Sequence, residues 1–375
     1  MRPLMADFGI TRLARQTGLD VIGIPCWAAT RPNALTLAVN MGKGADDDAA
    51  MASAIMEAAE YAIAESPDVP LIRATAAELR TAGKTVFDVS PWLPLKAPLP
   101  DDLPLDWLEG TQLFSGAPVY APRDALVIGG AATLTDISQS TNGLASGNTL
   151  EEAIFHALCE LVERDATTLW IFKPDEAAAA TEIDPASFAD PVIDGLIAQI
   201  GAAGLRVTLF DQTTSIGLPV IFALLAPRDQ PATRYFDLAA GCGCHPVAAR
   251  AAIRAITEAA QTRISNIAGG RDDFDPAEYH QRLSASLQSL ATLRAEVPGP
   301  PPPGLPMGTG LSALFDHARA QLAGAGITSI AAFPLGGAKA GIAVARLLAH
   351  GLEDRSTNRH WRPGLRATGA MIGLW

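Results

Sequence analysis

Three stretches of this sequence carry carboxylates and cations at helical spacing, on backgrounds of alanine and aliphatic residues. In the first, Ser53, Glu57 and Glu60 stand at i, i+4 and i+7, so at about 100° per residue they share one helical stripe. In the second, Glu152 and Glu163 fall on one face, Glu160 lies beside Glu163, and Arg164 is within i, i+4 reach of Glu160. In the third, Arg254, Glu258 and Gln261 repeat the spacing of the first. A glutamate stripe on a single alanine-rich helix is ordinarily a solvated face. Thr149 and Glu152 also fit a capping box, and Glu160 with Arg164 fits an exposed ion pair of little weight. The second helix argues otherwise. Its Ala153, Ile154, Ala157, Leu158, Leu161 and Val162 make it apolar enough to be buried, and buried carboxylates need cations or donors.

If the three stripes converge, Glu57, Glu60, Glu152, Glu160 and Glu163 surround one site that also holds Arg164 and Arg254. Two arginines leave such a set under-neutralised, and like charges at short range repel. Oxygen-only ligands select a hard cation, magnesium first. Carboxylate-held magnesium with arginines alongside is what a polyphosphate needs, so the residues point to a magnesium–nucleotide site. No P-loop pattern occurs, and Gly42-Lys43-Gly44 alone is too short to count as one.

The elements that must position these residues are legible from their ends. Asp46-Asp47-Asp48 opens the first helix, expected over 46–64, with acids where the macrodipole favours them. The second helix is expected over 149–170, and the third over 246–267, stopped by Gly269-Gly270. Residues 19–25, 205–210, 218–225, 327–333 and 343–349 read as strands, and 311–322 as a further helix. Proline-rich stretches near 91–104 and 298–306 read as a surface connection and a polyproline-like spacer. The mixture implies an α+β fold.

Composition narrows the function classes. With 49% hydrophobic and 18% charged residues the chain is globular. A net charge of −12 gives it no basic footprint for nucleic acid. No apolar run approaches the roughly 18 residues that span a bilayer, and Met1 to Gly9 lacks a signal-peptide core, so a cytoplasmic protein is expected. Among Cys26, Cys159, Cys242 and Cys244, only the last two are close, at a spacing foreign to zinc and thioredoxin motifs. They are expected to be small buried side chains rather than a sulfur relay.

The same motifs resemble the YcaO family. Ser53-x-x-x-Glu57-x-x-Glu60 resembles its S-x-x-x-E-x-x-E signature, and Asn148-x-x-x-Glu152 with Glu160-Leu161-Val162-Glu163-Arg164-Asp165 resembles the second. Arg254-x-x-x-Glu258-x-x-Gln261 resembles the third, followed by Gly270-Arg271-Asp272-Asp273. Thr17-Gly18-Leu19-Asp20, Gly23-Ile24-Pro25, Arg31-Pro32, Gly42-Lys43-Gly44, 143–147 and Gly351-Leu352-Glu353 agree in order, so the resemblance spans nearly the whole chain.

The resemblance implies a YcaO-type ATP-binding fold, mixed or antiparallel sheets packed with long helices, as one domain over 1–375. It implies ATP and Mg2+ as cofactors, used to phosphorylate a backbone amide oxygen of a ribosomally made peptide after a nucleophile attacks the carbonyl carbon. By motif, Glu60, Glu152, Glu160 and Glu163 are the implied magnesium ligands. Ser53, Glu57, Asn148, Arg164, Arg254, Glu258 and Gln261, with Lys43, are the implied nucleotide or phosphate contacts. Azoline-forming members commonly end in a proline-rich tail, whereas this sequence ends Gly369-Ala370-Met371-Ile372-Gly373-Leu374-Trp375. That departure, and the lack of a fused partner domain, favour thioamide formation with an external sulfur donor and a TfuA-like partner. The alternatives are an azoline-forming cyclodehydratase, a non-catalytic nucleotide-binding regulator, and a metal scaffold without nucleotide. The expected partners are a precursor peptide, the TfuA-like protein and, as an open option, a second copy of the chain; no nucleic acid or membrane is expected.

Overall fold

Asp46 starts the first long helix as its sequence predicts: its carboxylate accepts the Ala49 N–H at 2.8 Å, satisfying a donor the helix leaves bare. In the computed structural model, which describes residues 5–129, 133–271 and 275–373, that helix is α1 (Asp47–Glu65). Before it come β1 (Arg12–Arg15), β2 (Cys26–Thr30) and β3 (Val39–Lys43). After it follow β4 (Ile72–Ala74), α2 (Ala76–Thr81), β5 (Leu105–Gln112), β6 (Pro118–Pro122), β7 (Leu144–Gly147) and α3 (Leu150–Trp170). Next are α4 (Asp175–Ala179), β8 (Glu182–Ile183), α5 (Pro191–Ala202), β9 (Leu205–Asp211), β10 (Val220–Pro227), β11 (Ala239–Cys244) and α6 (Ala248–Ala268). The chain closes with α7 (Ala285–Thr292), α8 (Leu311–Gly324), β12 (Ile330–Gly336), β13 (Ala343–Ala349) and α9 (Leu365–Met371). Asp272, Asp273, Leu374 and Trp375, named in the motif reading, lie outside the described residues, as does the start of the 1–9 segment.

The elements sort into two units. The first comprises Met1–Asn33, Leu37–Ala58 and Trp170–His317; the second comprises Ala34–Thr36, Ala59–Leu169 and Ala318–Trp375. The first unit holds the antiparallel sheet β1-β2-β3 and a second antiparallel sheet in the order β11-β10-β9-β8. Helix α6 lies on β11 and β10, and Ile193, Leu196, Leu209, Ile221, Ala255 and Ile256 fill the core there. The approach is close enough that a Cβ on Gly241 would collide with the Ala255 carbonyl and the Ala259 amide, so glycine is required. The α6 end is as predicted: Gly269 closes it with φ 56°, its N–H donating to the Ser265 carbonyl.

The second unit is built on β4-β5-β12-β13-β7, with β6 also paired to β5, all antiparallel. Phe87, Leu126, Phe333, Leu335, Val344 and Leu348 form its core. Helix α3 is capped by Thr149, whose hydroxyl accepts the Glu152 N–H at 3.2 Å, and it crowds β7 so that a Cβ on Gly147 would lie 2.6 Å from the Ala153 nitrogen.

One strand expectation fails. Residues 19–25 form the loop joining β1 to β2. Leu19 and Val21 are exposed, Asp20 folds back to accept the Ile22 N–H at 3.3 Å, and Gly23 takes φ 84°, a conformation that interrupts an extended run. The strand expected at 327–333 starts three residues late, because the Ile327 N–H closes the end of α8 on the Leu322 carbonyl.

Candidate functional site

In the first unit, β3, α1 and α6 bring together one charged cluster. Met41 anchors β3 in an apolar group with Cys26, Ala28 and Ile264, and two residues on Lys43 reaches α6, its Nζ donating to Glu258 Oε2 at 2.6 Å. Gln261, one turn further along α6, donates from Nε2 to the Met41 carbonyl at 3.3 Å. Burial pushes the Glu57 carboxyl on α1 up to about 7, against the pull of Lys43 and Arg271, with Glu258 adding repulsion and the Met41 amide donating to it. Ser53 stands one turn before Glu57 and is half-buried, while Arg254 stands one turn before Glu258 and is exposed. Lys43 and Arg271 thus both act on Glu57, and Lys43 also pairs with Glu258.

In the second unit a second charged cluster gathers. Glu60 on α1 accepts the Ser146 hydroxyl of β7 at 2.9 Å. Arg164 Nη2 lies 3.5 Å from Glu160 Oε1, a long pair with side chains 32% and 22% exposed. Burial drives the Glu160 carboxyl up to about 7; Arg164 opposes this, Glu163 reinforces it, and Arg346 opposes it again. Glu163 is buried. Arg346 on β13 is buried as well, and loss of water brings its guanidinium down to about 10 although Glu160, Asp354 and Glu60 all favour its charge. Glu152 is engaged at the start of α3, where it accepts the Asn148 N–H and side-chain amide at 2.9 and 3.0 Å.

The carboxylate-bearing face of α3 is fixed from behind. Asp165, fully buried, receives a forked pair of bonds from Arg366 of α9, at 2.9 Å from Nε and 2.7 Å from Nη2, and the Glu353 N–H at 3.0 Å. Glu353 in turn accepts from Trp361 Nε1, the Gly364 N–H and the Ala367 N–H. Burial still raises the Asp165 carboxyl above its ordinary range, with Arg366 as the main opposing influence. Adjacent residues Glu163 and Arg164 are therefore carried on a helix that has little freedom to turn.

The predicted residues thus gather as Lys43, Glu57, Glu258 and Gln261 in the first unit, and as Glu60, Glu160, Glu163 and Arg164 in the second. Sequence reasoning counted two arginines against the acids and took Lys43 from the family resemblance; the structure adds Arg271 to one cluster and Arg346 to the other. Arg346 was hidden as a lone cation in an apolar strand, and Ser146 as part of a glycine-bounded run. Among the described residues no group of three or more His, Cys, Asp or Glu is close enough to hold a metal ion by itself. Magnesium does not require such a group, since it is typically held by one or two carboxylates with water and phosphate oxygens. The donor set fits that ion in kind, since its ligand atoms are all oxygen.

All four cysteines are buried thiols. With Gly241 and Gly243 turned to α6, strand alternation puts Cys242 and Cys244 on the opposite face of β11. Cys242 Sγ lies 3.7 Å from Gln212 Oε1, and burial pushes the Cys26 thiol up to about 12, which makes it inert.

Fold and clusters together define a class: an α+β protein whose long helices carry paired glutamates and cations rather than a phosphate loop. Its fold overlays a heterocyclase solved with substrate and cofactor, with a TM-score of 0.77 at 20% identity over 98% of this chain; the chain spans about half, 52%, of that protein. It also overlays YcaO from Methanopyrus kandleri bound with AMPPCP and Mg2+, with a TM-score of 0.72 at 22% identity, covering 94% of this chain and 88% of that one. Residues 41–353 match the profile described as YcaO cyclodehydratase, ATP- and Mg2+-binding. The chain belongs to the YcaO family, and ATP and Mg2+ are the cofactors that family's description names. A protein in the tfuA 3′ region of Rhizobium leguminosarum bv. trifolii is 40% identical over all of this chain and 90% of its own length. One from Methanothermobacter thermautotrophicus is 37% identical over 74% of this chain and 71% of its own.

Proposed function

We propose that this chain uses magnesium–ATP to activate a backbone amide of a ribosomally made peptide, yielding a thioamide with an external sulfur donor. The observation that carries the reading is that glutamates and cations of the three family motifs meet in the fold, Glu57 and Glu258 with Lys43 in one cluster and Glu160 and Glu163 with Arg164 in the other. Lys43, Ser53, Glu57, Asn148, Arg164, Arg254, Glu258 and Gln261 are assigned to the nucleotide, and Glu60, Glu152, Glu160 and Glu163 to magnesium. The family match, 41–353, takes in parts of both units, which supports reading them as one functional domain.

Bound ATP would supply a single thing, the conversion of the amide oxygen into a leaving group. With peptide and ATP both bound, hydrosulfide would replace the amide oxygen at the carbonyl carbon, that oxygen would leave as phosphate with the terminal phosphoryl group of ATP, and the sulfur's proton would pass to the phosphate, giving a C=S bond, ADP and an unchanged N–H. The chain's own part is to bind and orient. Lys43 and Arg254 meet phosphate charge, and the Lys43–Glu258 pair keeps the ammonium in place until phosphate arrives. Asp165 and Arg366 hold α3 so that Glu160 and Glu163 present their oxygens from a rigid element.

The relative in a tfuA 3′ region supports a TfuA-like partner and the thioamide product. A cytoplasmic setting remains part of the proposal; among the described residues no helix is long and apolar enough to cross a membrane. Azoline formation from a side-chain nucleophile is the second reading, favoured by the overlay on a heterocyclase. High-resolution mass spectrometry of the treated peptide separates them. Sulfur-for-oxygen exchange adds about 16 mass units, whereas loss of water removes about 18, as atomic masses dictate for the two nucleophiles. Water loss without any sulfide requirement would remove the thioamide reading.

A further inference from the structure

Arg346 lies in the middle of β13, in a run otherwise made of alanine, valine and leucine. Its side chain is 1% exposed. Nη2 reaches Ser140 Oγ at 3.5 Å, the limit of a hydrogen bond. Nε and Nη1 have no hydrogen-bond partner among the described residues. Its neighbours across the ladder are apolar, Leu144 on β7 and Phe333 on β12. A guanidinium stripped of water and given almost no donors' partners in return persists only where nearby anions offset its charge.

The acids whose charge acts on it are Glu160, Asp354 and Glu60. Asp354 is fastened as a turn anchor, accepting from Asn142 at 2.9 Å, from the Thr357 N–H at 3.0 Å and from the Thr357 hydroxyl. Glu60 and Glu160 are the other two, and they come from different helices. A positive charge fixed in the sheet therefore faces carboxylates carried on two different helices.

We propose that Arg346 is a built-in counter-charge, a positioning residue that offsets the charges of Glu60 and Glu160 while no divalent cation is bound. The identity of that cation as magnesium rests on the functional reading above; the counter-charge role rests on burial and missing hydrogen bonds. A cation of the right charge then takes over part of the task, so loss of Arg346 makes the fold dependent on the ion. Arginine suits the position because it stays charged even where burial weakens its basicity.

The test is thermal unfolding of the whole chain in EDTA and in millimolar Mg2+, for wild type, Arg346→Met, Glu160→Gln and the double variant. Arg346→Met is expected to lower the midpoint by about 5 °C or more in EDTA, and Mg2+ to restore at least about half of that loss. Glu160→Gln is expected to raise the midpoint more in the Arg346→Met background than in wild type, a coupling that packing alone does not produce. Equal losses with and without Mg2+, with no extra rescue by Glu160→Gln, would make Arg346 a packing residue and overturn the proposal. Where Arg346→Met alone fails to fold, recovery of soluble protein in the double variant supports the role and a double variant that also fails refutes it. If Mg2+ stabilises no form, wild type included, the magnesium reading falls, and the Glu160→Gln coupling in EDTA still decides the role of Arg346.

Discussion

Replacing Glu160 by glutamine removes a charge that the ion-free fold accommodates poorly, and the structure sets the size of the effect. The carboxyl rises from its ordinary 4.5 to about 7 because burial and Glu163 outweigh Arg164 and Arg346. At about 1.4 kcal/mol per tenfold change in proton affinity, that is roughly 3–4 kcal/mol against the ionised form. Coupling to Glu163 shares the figure between two sites, so about 1–3 kcal/mol is expected for one variant. Below about pH 4 the group is protonated in folded and unfolded chains alike and contributes nothing. Between 4.5 and about 7 the folded protein keeps a proton that the unfolded chain has lost, so wild-type stability falls as pH rises through this window and the loss is complete above it. Glu160→Gln lacks that slope. In EDTA at about pH 8 it is expected to melt a few degrees above wild type, with the difference vanishing near about pH 4. Added Mg2+ should reverse the order, because only wild type retains the ligand. Calorimetric scans at several pH values measure this. Equal midpoints at every pH, or a variant less stable at high pH, would refute the reasoning.

Other outcomes follow from the same geometry. Lys43→Met is expected to weaken ATP binding at least about tenfold with little change in midpoint, since the Lys43–Glu258 pair is partly exposed; titration calorimetry reads this, and unchanged affinity would remove Lys43 from the phosphate set. Arg366→Met leaves Asp165 buried and unpaired, so a loss of about 3–5 kcal/mol is expected in chemical denaturation, and a loss below about 1 kcal/mol would mean that α9 does not brace α3. Gly241→Ala would drive a methyl into the α6 backbone and should cost about 2 kcal/mol or more, whereas a neutral result would require α6 to shift. The double change Cys242→Ala, Cys244→Ala is expected to leave the fold and sulfide-supported modification intact; loss of modification in a folded variant would make these thiols participants.

The long helices were legible because each announces both its period and its ends. Asp46 caps α1, Thr149 caps α3, and Gly269 stops α6, and those local devices act before any tertiary contact. Strand β11 was not legible, since Ala239 to Cys244 has little β propensity. Its glycines answer to the closeness of α6, a property of packing that no local pattern carries. Residues 19–25 misled for the complementary reason: their apolar side chains looked like a strand, yet two of them are exposed in a loop fixed by Gly23 and Asp20. The site was half legible. Helical spacing exposed the glutamates and Arg254, but not Arg346, because Glu160 and Ser140 lie roughly two hundred residues before it and Glu60 nearly three hundred, with only the fold to join them.

Transfer of oxygen from the peptide to phosphate tests the central claim most directly. A cognate peptide carrying 18O at the backbone amide to be modified is incubated with the enzyme, ATP, magnesium and, as required, sulfide and the partner protein, and the released phosphate is weighed by mass spectrometry. Amide activation by phosphorylation predicts that each turnover delivers the label to inorganic phosphate. Peptide modification with unlabelled phosphate, or with no ATP consumed, would contradict it.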